Sequence, residues 1–301
     1  MAARDVVIEC AQVVKRFGNT VALDGLDFEV RRGRVVGYLG PNGAGKSTTL
    51  RILLDLAHRD AGDVWVLGAD PQVAGPDLRR RIGYVPGELR LPDRLTAGAL
   101  LESWCRLRGD DVDRTYVGEL CERLDLDPTR DARSLSSGNR RKVGLVGAFM
   151  ARPELLVLDE PTSGVDPLVQ DEFARLVREA RDEGRTILLS SHVLSEVQHL
   201  ADDVVILRAG RVVASGELGE LTHAASRPFT VWFSKSAPLD ALANTPGVSQ
   251  LDVRGNVVHG VIGGSPNPLL KTLAEHPIDQ LELPEPTLEE AFRQYYEDAA
   301  S

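Results

Sequence analysis

Residues 35–48 read VVGYLGPNGAGKST. Val35, Val36, Tyr38 and Leu39 are β-branched, aromatic or apolar and predict a short buried strand. A glycine-rich turn follows, and beyond it Leu50, Leu53, Leu54 and Ala57 recur at helical spacing, which predicts a helix over residues 48–56. Gly40, Gly45, Lys46 and Ser47 fit the phosphate-loop pattern GxxxxGKS/T, and a strand before it with a helix after it is the context that turns the pattern into a mechanism. There, the backbone N–H groups of residues 43–47 converge on a phosphate and the helix N-terminus adds partial positive charge. Lys46 reaches the β and γ oxygens, and the Ser47 hydroxyl is offered to Mg²⁺. Glycine is needed wherever a Cβ would block that approach. The candidate nucleotide-binding residues are therefore Gly40, Asn42, Gly43, Ala44 and Gly45, with Lys46, Ser47 and Thr48 opening the helix.

Outward from this stretch, residues 6–14 and 26–30 read as short antiparallel strands. Residues 96–124 form two helices parted by Gly109, Asp110 and Asp111, within a helical subdomain over about residues 88–152. A helix over 138–150 precedes a strand at 155–158 that is apolar on both faces, the mark of a central parallel strand. A helix over 167–183, a strand at 186–189, a helix over 193–200 and a strand at 204–207 complete an α/β pattern. The pattern breaks at THAASR, 222–227, and the tail then reads βαββαβ, the ferredoxin-like order. Its last helix is expected over 287–296, with Leu288, Ala291, Phe292 and Tyr295 on one stripe. The fold class is thus α/β, with a parallel-sheet core at 1–225 carrying an antiparallel β subdomain and a helical one. A small α+β domain follows at 226–301.

At 301 residues two domains are expected. With 35 Lys and Arg against 45 Asp and Glu, the net charge of −10 argues against a protein that lives by wrapping nucleic-acid backbone. The uncharged stretch at residues 256–270 contains Pro266 and Pro268 and cannot be a spanning helix. The first ten residues, MAARDVVIEC, lack the basic and apolar regions of a secretory signal, so a cytoplasmic location is expected. Cys10, Cys105 and Cys121 have no CxxC spacing and read as buried, reduced hydrophobes. Only five lysines occur, which makes Lys46 conspicuous.

LLVLDEP at 155–161 ends a buried strand in two acids. Asp159 then emerges at the carboxyl edge of the sheet, where α/β proteins bind ligands, and suits Mg²⁺. Glu160, one residue on, is set to accept a proton from an attacking water.

GPNGAGKST, LSSGN, LLVLDEPTSGVDP and SSH stand in the order and spacing of the ATP-binding-cassette (ABC) ATPases, which the chain resembles over about residues 5–220. The resemblance implies a head-to-tail homodimer with two ATP molecules between the subunits. Ser136, Ser137 and Gly138 would then meet the nucleotide bound by the opposite subunit, and Asp166 would communicate across the dimer. His192 would hold the γ-phosphate near Glu160, and Phe17 looks like the aromatic that stacks on adenine. Ser136 also reads as an N-cap for the helix that begins there. The basic run Arg140, Arg141 and Lys142 reads as a solvated helix face near phosphates.

Two departures stand out. After the strand at 82–85 the family usually has a glutamine, whereas this chain reads YVPGE, with Gly87 at that position and Glu88 beside it. Glu88, a bound water or a different link could take over that role. The signature is LSSGN in place of LSGGQ. Within the family, YVPGELRLPDRLT, LSSGNRRKVGLV and EPTLEEAFRQYY are similar to ATPase subunits of bacterial drug and antibiotic exporters, the kind associated with bacitracin, daunorubicin or tetronasin. That similarity implies an ATPase using ATP and Mg²⁺, held at the inner face of the membrane by separately encoded permease subunits. No nucleic-acid partner is expected. The competing expectation is a soluble ABC ATPase acting on ribosomes or in DNA repair.

Overall fold

The computed structural model describes residues 5–109, 112–224, 227–284 and 288–289. They divide into two compact units, Met1–Ser215 and Gly216–Ser301; the sequence pattern breaks some ten residues further on. The helix expected over 287–296 lies outside the described residues apart from Leu288 and Glu289.

The first unit opens with two long strands, β1 (Val6–Phe17) and β2 (Thr20–Arg31), paired antiparallel. Both outrun the stretches 6–14 and 26–30, because cross-strand pairs such as Lys15 with Leu23 and Phe17 with Thr20 carry the ladder past the apolar residues. Next come β3 (Val35–Leu39) and α1 (Lys46–Leu53). Helix α1 begins two residues ahead of the expected 48–56, directly on the glycine loop, and closes before Asp55, whose φ of 58° is left-handed.

Strand β4 (Ala61–Val66) and helix α2 (Pro71–Arg80) were not anticipated. The strand is short and only every second side chain late in it is buried; the helix is kinked at Gly75, so neither offers a long periodic signal. After β5 (Ile82–Val85) come α3 (Ala97–Arg108), α4 (Arg114–Arg123), a 3-10 turn at Ala132–Ser134 and α5 (Ser137–Phe149). Each α-helix here is started by a capping side chain: Thr96, Asp113 and Ser136 accept N–H bonds from Ala99, Thr115 and Asn139. The unit then runs through β6 (Leu155–Asp159), α6 (Pro167–Asp182), β7 (Thr186–Ser190), α7 (Leu194–Leu200), β8 (Asp203–Arg208) and β9 (Arg211–Glu217).

Two sheets organise these elements. Strands β2, β1 and β4 form an antiparallel sheet, while the larger sheet has the order β5-β6-β7-β3-β8-β9 and is parallel from β5 to β8. Strands β3, β6 and β7 are buried at every residue, which accounts for their largely apolar composition. Alternate side chains feed two cores. Leu156, Leu158, Ile187 and Leu189 join Val146, Phe149 and Phe173 of the helices, whereas Leu155, Val157 and Leu188 join Leu50 and Leu53 of α1 and Ile8 and Leu26 of the antiparallel sheet. Each large side chain so buried contributes about 1.5–3 kcal/mol. Between α4 and α6, Arg123 bonds Glu172 at 2.5 Å and Glu179 at 2.7 Å.

The second unit contains α8 (Leu218–Ala224), β10 (Arg227–Phe233), α9 (Leu239–Ala243), β11 (Val248–Arg254), β12 (Val257–Ile262), α10 (Asn267–Ala274) and β13 (Ile278–Glu282). Its sheet has the order β11-β12-β10-β13, every pairing antiparallel. Phe229, Val231 and Phe233 of β10 meet Leu242 of α9 and Leu269 and Leu273 of α10 in a core of its own. Among the described residues no helix is long and apolar enough to cross a membrane.

Candidate active site

The carboxyl ends of β3, β6 and β7 lie side by side, since Tyr38 pairs with Ser190 and Ser190 with Asp159. This edge is where an open parallel sheet receives ligands. From β3 the chain turns through residues 40–45 into α1, whose N-cap is Gly45 in the left-handed region at φ 107°. A side chain there would also meet the Ala22 carbonyl at 2.7 Å, so only glycine fits. Helix α1 has no side-chain cap, and the N–H groups of its first turn are thus free to face an anion. Ala44 and Lys46 are buried, and the Lys46 ammonium lies 2.5 Å from the Gly40 carbonyl and 3.3 Å from that of Pro41. Burial pulls its pKa down, while Glu160 and Asp159 act in the opposite sense. Behind the loop, Tyr38 donates to Thr49 at 3.0 Å and Thr49 to the Gly45 carbonyl at 3.1 Å, pinning the helix start to β3.

Asp159 is 4% exposed and accepts a 2.6 Å bond from Ser190 on Oδ1. Glu160 follows in left-handed backbone, φ 51°, which turns its side chain out of the strand's alternation. It meets His192, whose Nδ1 hydrogen-bonds Glu160 Oε2. The carboxylate, accepting, fixes the imidazole proton on Nδ1. Glu196 was not singled out from the sequence. Its Oε2 accepts from Ser191 at 2.8 Å, and Ser191 accepts the Val193 N–H at 3.0 Å, so the segment bearing His192 is tied to α7. Burial raises the Glu196 pKa.

Ser136, Ser137, Gly138 and Asp166 form a second group. Ser136 caps α5, and Asp166 caps α6 by accepting the Val169 N–H at 3.1 Å. A Cβ on Gly138 would stand 2.6 Å from the Gly164 carbonyl, so the start of α5 packs directly on the turn before α6. Phe17 is 54% exposed at the end of β1, with the Lys15 ammonium 5.1 Å from its ring centroid. The ring is available to stack on a planar ligand.

Around Gly87 and the basic run the structure changes the picture. Arg141 and Lys142 are buried, not solvated as their charge suggested. Lys142 donates to the Asp125 carbonyl at 2.9 Å. Arg141 donates to the carbonyls of Pro86 and Gly87 at 2.5 and 2.6 Å. Helical position 141 falls on the face of α5 turned to β5, and that is the signal the charge obscured. Glu88 is exposed and paired with Arg90 at 3.0 Å. Cys10, Cys105 and Cys121 are buried and free, as expected, and burial pushes each thiol up.

Known proteins resemble this chain in four instances. The ABC transporter family model matches residues 23–163. A daunorubicin resistance ATP-binding protein of Streptomyces coeruleorubidus is 40% identical over 225 residues, covering 73% of this chain and 71% of that protein. Among solved structures, an ATP-binding subunit of an ABC transporter superposes with TM-score 0.67 at 29% identity, covering 71% of this chain and 91% of the other. A dimeric bacterial ABC transporter cassette, 23% identical, shares the fold with TM-score 0.64 over 70% of this chain and 98% of that one.

Proposed function

The chain belongs to the ABC transporter family as an ATP-binding protein, and from that premise we propose that it is the ATPase of an exporter for a drug, antibiotic or lipid-like compound. It binds ATP as a homodimer and drives separately encoded membrane subunits, which hold it at the inner face of the membrane. The observation that carries the ATPase assignment is the convergence of the Lys46 loop, Asp159 and the Glu160–His192 pair at adjoining strand ends. Its likeness to a daunorubicin resistance protein supports the exporter assignment.

Lys46 and the N–H groups of residues 43–47 bind the β and γ phosphates, with Thr48 and Asn42 flanking them and Phe17 against the adenine. The exposed Ser47 hydroxyl and the buried Asp159 carboxylate are hard oxygen donors that would hold Mg²⁺, which when bound neutralises charge on the β and γ oxygens. Glu160 takes a proton from the water that attacks the γ-phosphorus, the bond to the β–γ bridging oxygen breaks, and ADP leaves with phosphate. His192 aligns the Glu160 carboxylate through Nδ1. Ser136, Ser137 and Gly138 of one copy approach the γ-phosphate held by the other, and Asp166 links the two sites.

The membrane subunit's cytoplasmic helix docks where Pro86, Leu89, Trp104, Leu107 and Met150 line a largely apolar hollow of about 380 Å³. Among the described residues between the loop and the DE pair the helices have at most 13 residues, and none is the long coiled coil of a repair ATPase. We propose that the second unit is a ferredoxin-like accessory domain, a reading supported by its sheet order β11-β12-β10-β13 with every pairing antiparallel.

The test is to tag the Glu160→Gln variant, solubilise membranes of expressing cells in mild detergent, wash at high salt and identify what co-purifies. Turnover is expected to fall by about 10²-fold or more with ATP still bound, and a multi-span hydrophobic protein is expected in stoichiometric amount. Recovery from the soluble fraction with ribosomes or nucleic acid attached would replace the exporter assignment with the soluble one. Wild-type turnover in the variant would remove Glu160 from its role.

A further inference from the structure

The loop after β5 lacks the side chain through which the family's glutamine would sense the nucleotide, yet it is not loosely held. A Cβ built on Gly87 stands 3.0 Å from Asp159 Oδ2 and 3.3 Å from its carboxyl carbon, so the loop passes close enough to the Asp159 carboxylate that a side chain there would crowd it. On the other side, the two outer nitrogens of Arg141 reach two successive carbonyls, Pro86 at 2.5 Å and Gly87 at 2.6 Å. Arg141 is 7% exposed and feels the charges of both Asp159 and Glu160. It also sits in the second turn of α5, the helix that Ser136 caps. Glu88 takes no part, being turned outward to Arg90. One planar guanidinium thus joins the backbone of residues 86–87 to the helix carrying the LSSGN signature, within the field of the acids at the strand ends.

We propose that Arg141 is the positioning residue that transmits nucleotide binding to the loop after β5, clamping Pro86 and Gly87 to α5 so that loop and signature helix move as one body, in place of a side chain at position 87. A lysine cannot do this, because an ammonium is a single point of donation and lacks the fixed fork needed for two adjacent carbonyls. The assignment rests on the nucleotide site proposed above, and it is tested so that the two can fail separately.

The experiment is amide hydrogen exchange on the full chain in the Glu160→Gln background, with and without ATP and Mg²⁺, comparing Arg141 with Arg141→Lys. In the Arg141 protein, ATP is expected to slow exchange in residues 40–48 and also in 86–91 and 136–141. In Arg141→Lys, residues 40–48 are expected to respond as before, while the ATP-induced slowing in 86–91 shrinks by about fivefold or more. A merely structural role would speed exchange in both states and leave the difference between them unchanged; that result, or an intact response in 86–91, overturns the proposal. Absence of an ATP response in residues 40–48 in either protein would instead overturn the nucleotide site. Should Arg141→Lys not fold, an ATP titration of the Arg141 protein decides. Residues 86–91 and 136–141 must then respond with one midpoint and one amplitude ratio, and separate midpoints sink the clamp.

Discussion

Two loops leave the same edge of the parallel sheet and are built in opposite ways. The one after β3 is local: the residues that shape it, Gly45 with its left-handed backbone and Lys46 folded over the Gly40 carbonyl, are themselves members of it or of the turn of helix it feeds. The one after β5 is shaped from elsewhere, by the Asp159 carboxylate of β6 and by Arg141, which stands 54 residues beyond Gly87. A loop of the first kind announces itself in sequence. A loop of the second kind shows only that something customary is missing, and the residue doing the work must be found in space.

The difference can be tested from either side. Lys46→Ala strikes the local loop, and ATP turnover should fall by about 10²–10³-fold together with nucleotide affinity. Phosphate release and an ATP titration would measure both, and a loss no larger than that of a Gly87 variant would erase the contrast. Gly87→Ala strikes the remote-built loop, where the new Cβ would stand 3.0 Å from Asp159 Oδ2, so the carboxylate or the backbone must give by a few tenths of an ångström. Turnover should drop by about tenfold, and stability by about 1–2 kcal/mol, as expected for overpacking at a buried contact. Gly87→Gln, which restores the family's usual residue, should do no better than Gly87→Ala. A gain of activity would mean that the loop has room for a side chain after all.

Arg123→Ala sharpens the comparison by disturbing the helical stretch away from either loop. It releases Glu172 and Glu179 of α6, and urea denaturation should show a loss of about 1–3 kcal/mol, with the ATP midpoint held. Smallest of all is the pH-dependent contribution of Glu154, which the Arg81 fork beside β5 holds below its ordinary carboxyl value. Both partners are about two-fifths exposed, so solvent screening leaves under about 1 kcal/mol. A depressed carboxyl stabilises the fold above its unfolded value near 4.5 and loses that contribution as the pH falls below it. Denaturation of Glu154→Gln should therefore differ from the parent at pH 7 and converge with it in acid.

How far the sequence could be read follows the same division. The α/β core was legible because β3, β6 and β7 are apolar at nearly every position and α6 repeats its apolar residues at helical intervals. Strand β4 and helix α2 were not, since one alternates weakly and the other is bent at Gly75. At the site, Asp159, Glu160 and His192 were expected together, and the structure joins Glu160 to His192 and sets Asp159 at the paired strand end. Arg141 was passed over because a charge in a basic run normally faces solvent, which hid its place on the face of α5 turned to β5 and the two distant carbonyls it meets. Glu196 was passed over although its partner is close in sequence, the Ser191 hydroxyl just after β7, because an acid in a short helix normally faces solvent.

The left-handed backbone at Glu160 bears on how such a protein ages in a genome. Holding a side chain at φ 51° costs about 1–2 kcal/mol. Glycine would remove that strain but surrender about 0.5–1 kcal/mol of chain entropy, so the folded state would survive the exchange almost unchanged. Backbone strain therefore erects no barrier against losing the Glu160 carboxylate. A copy of the gene freed from selection for turnover could drift there silently while still being made and still folding. Under the role proposed for Glu160, chemistry sets the residue at this position, since the local backbone does not demand it.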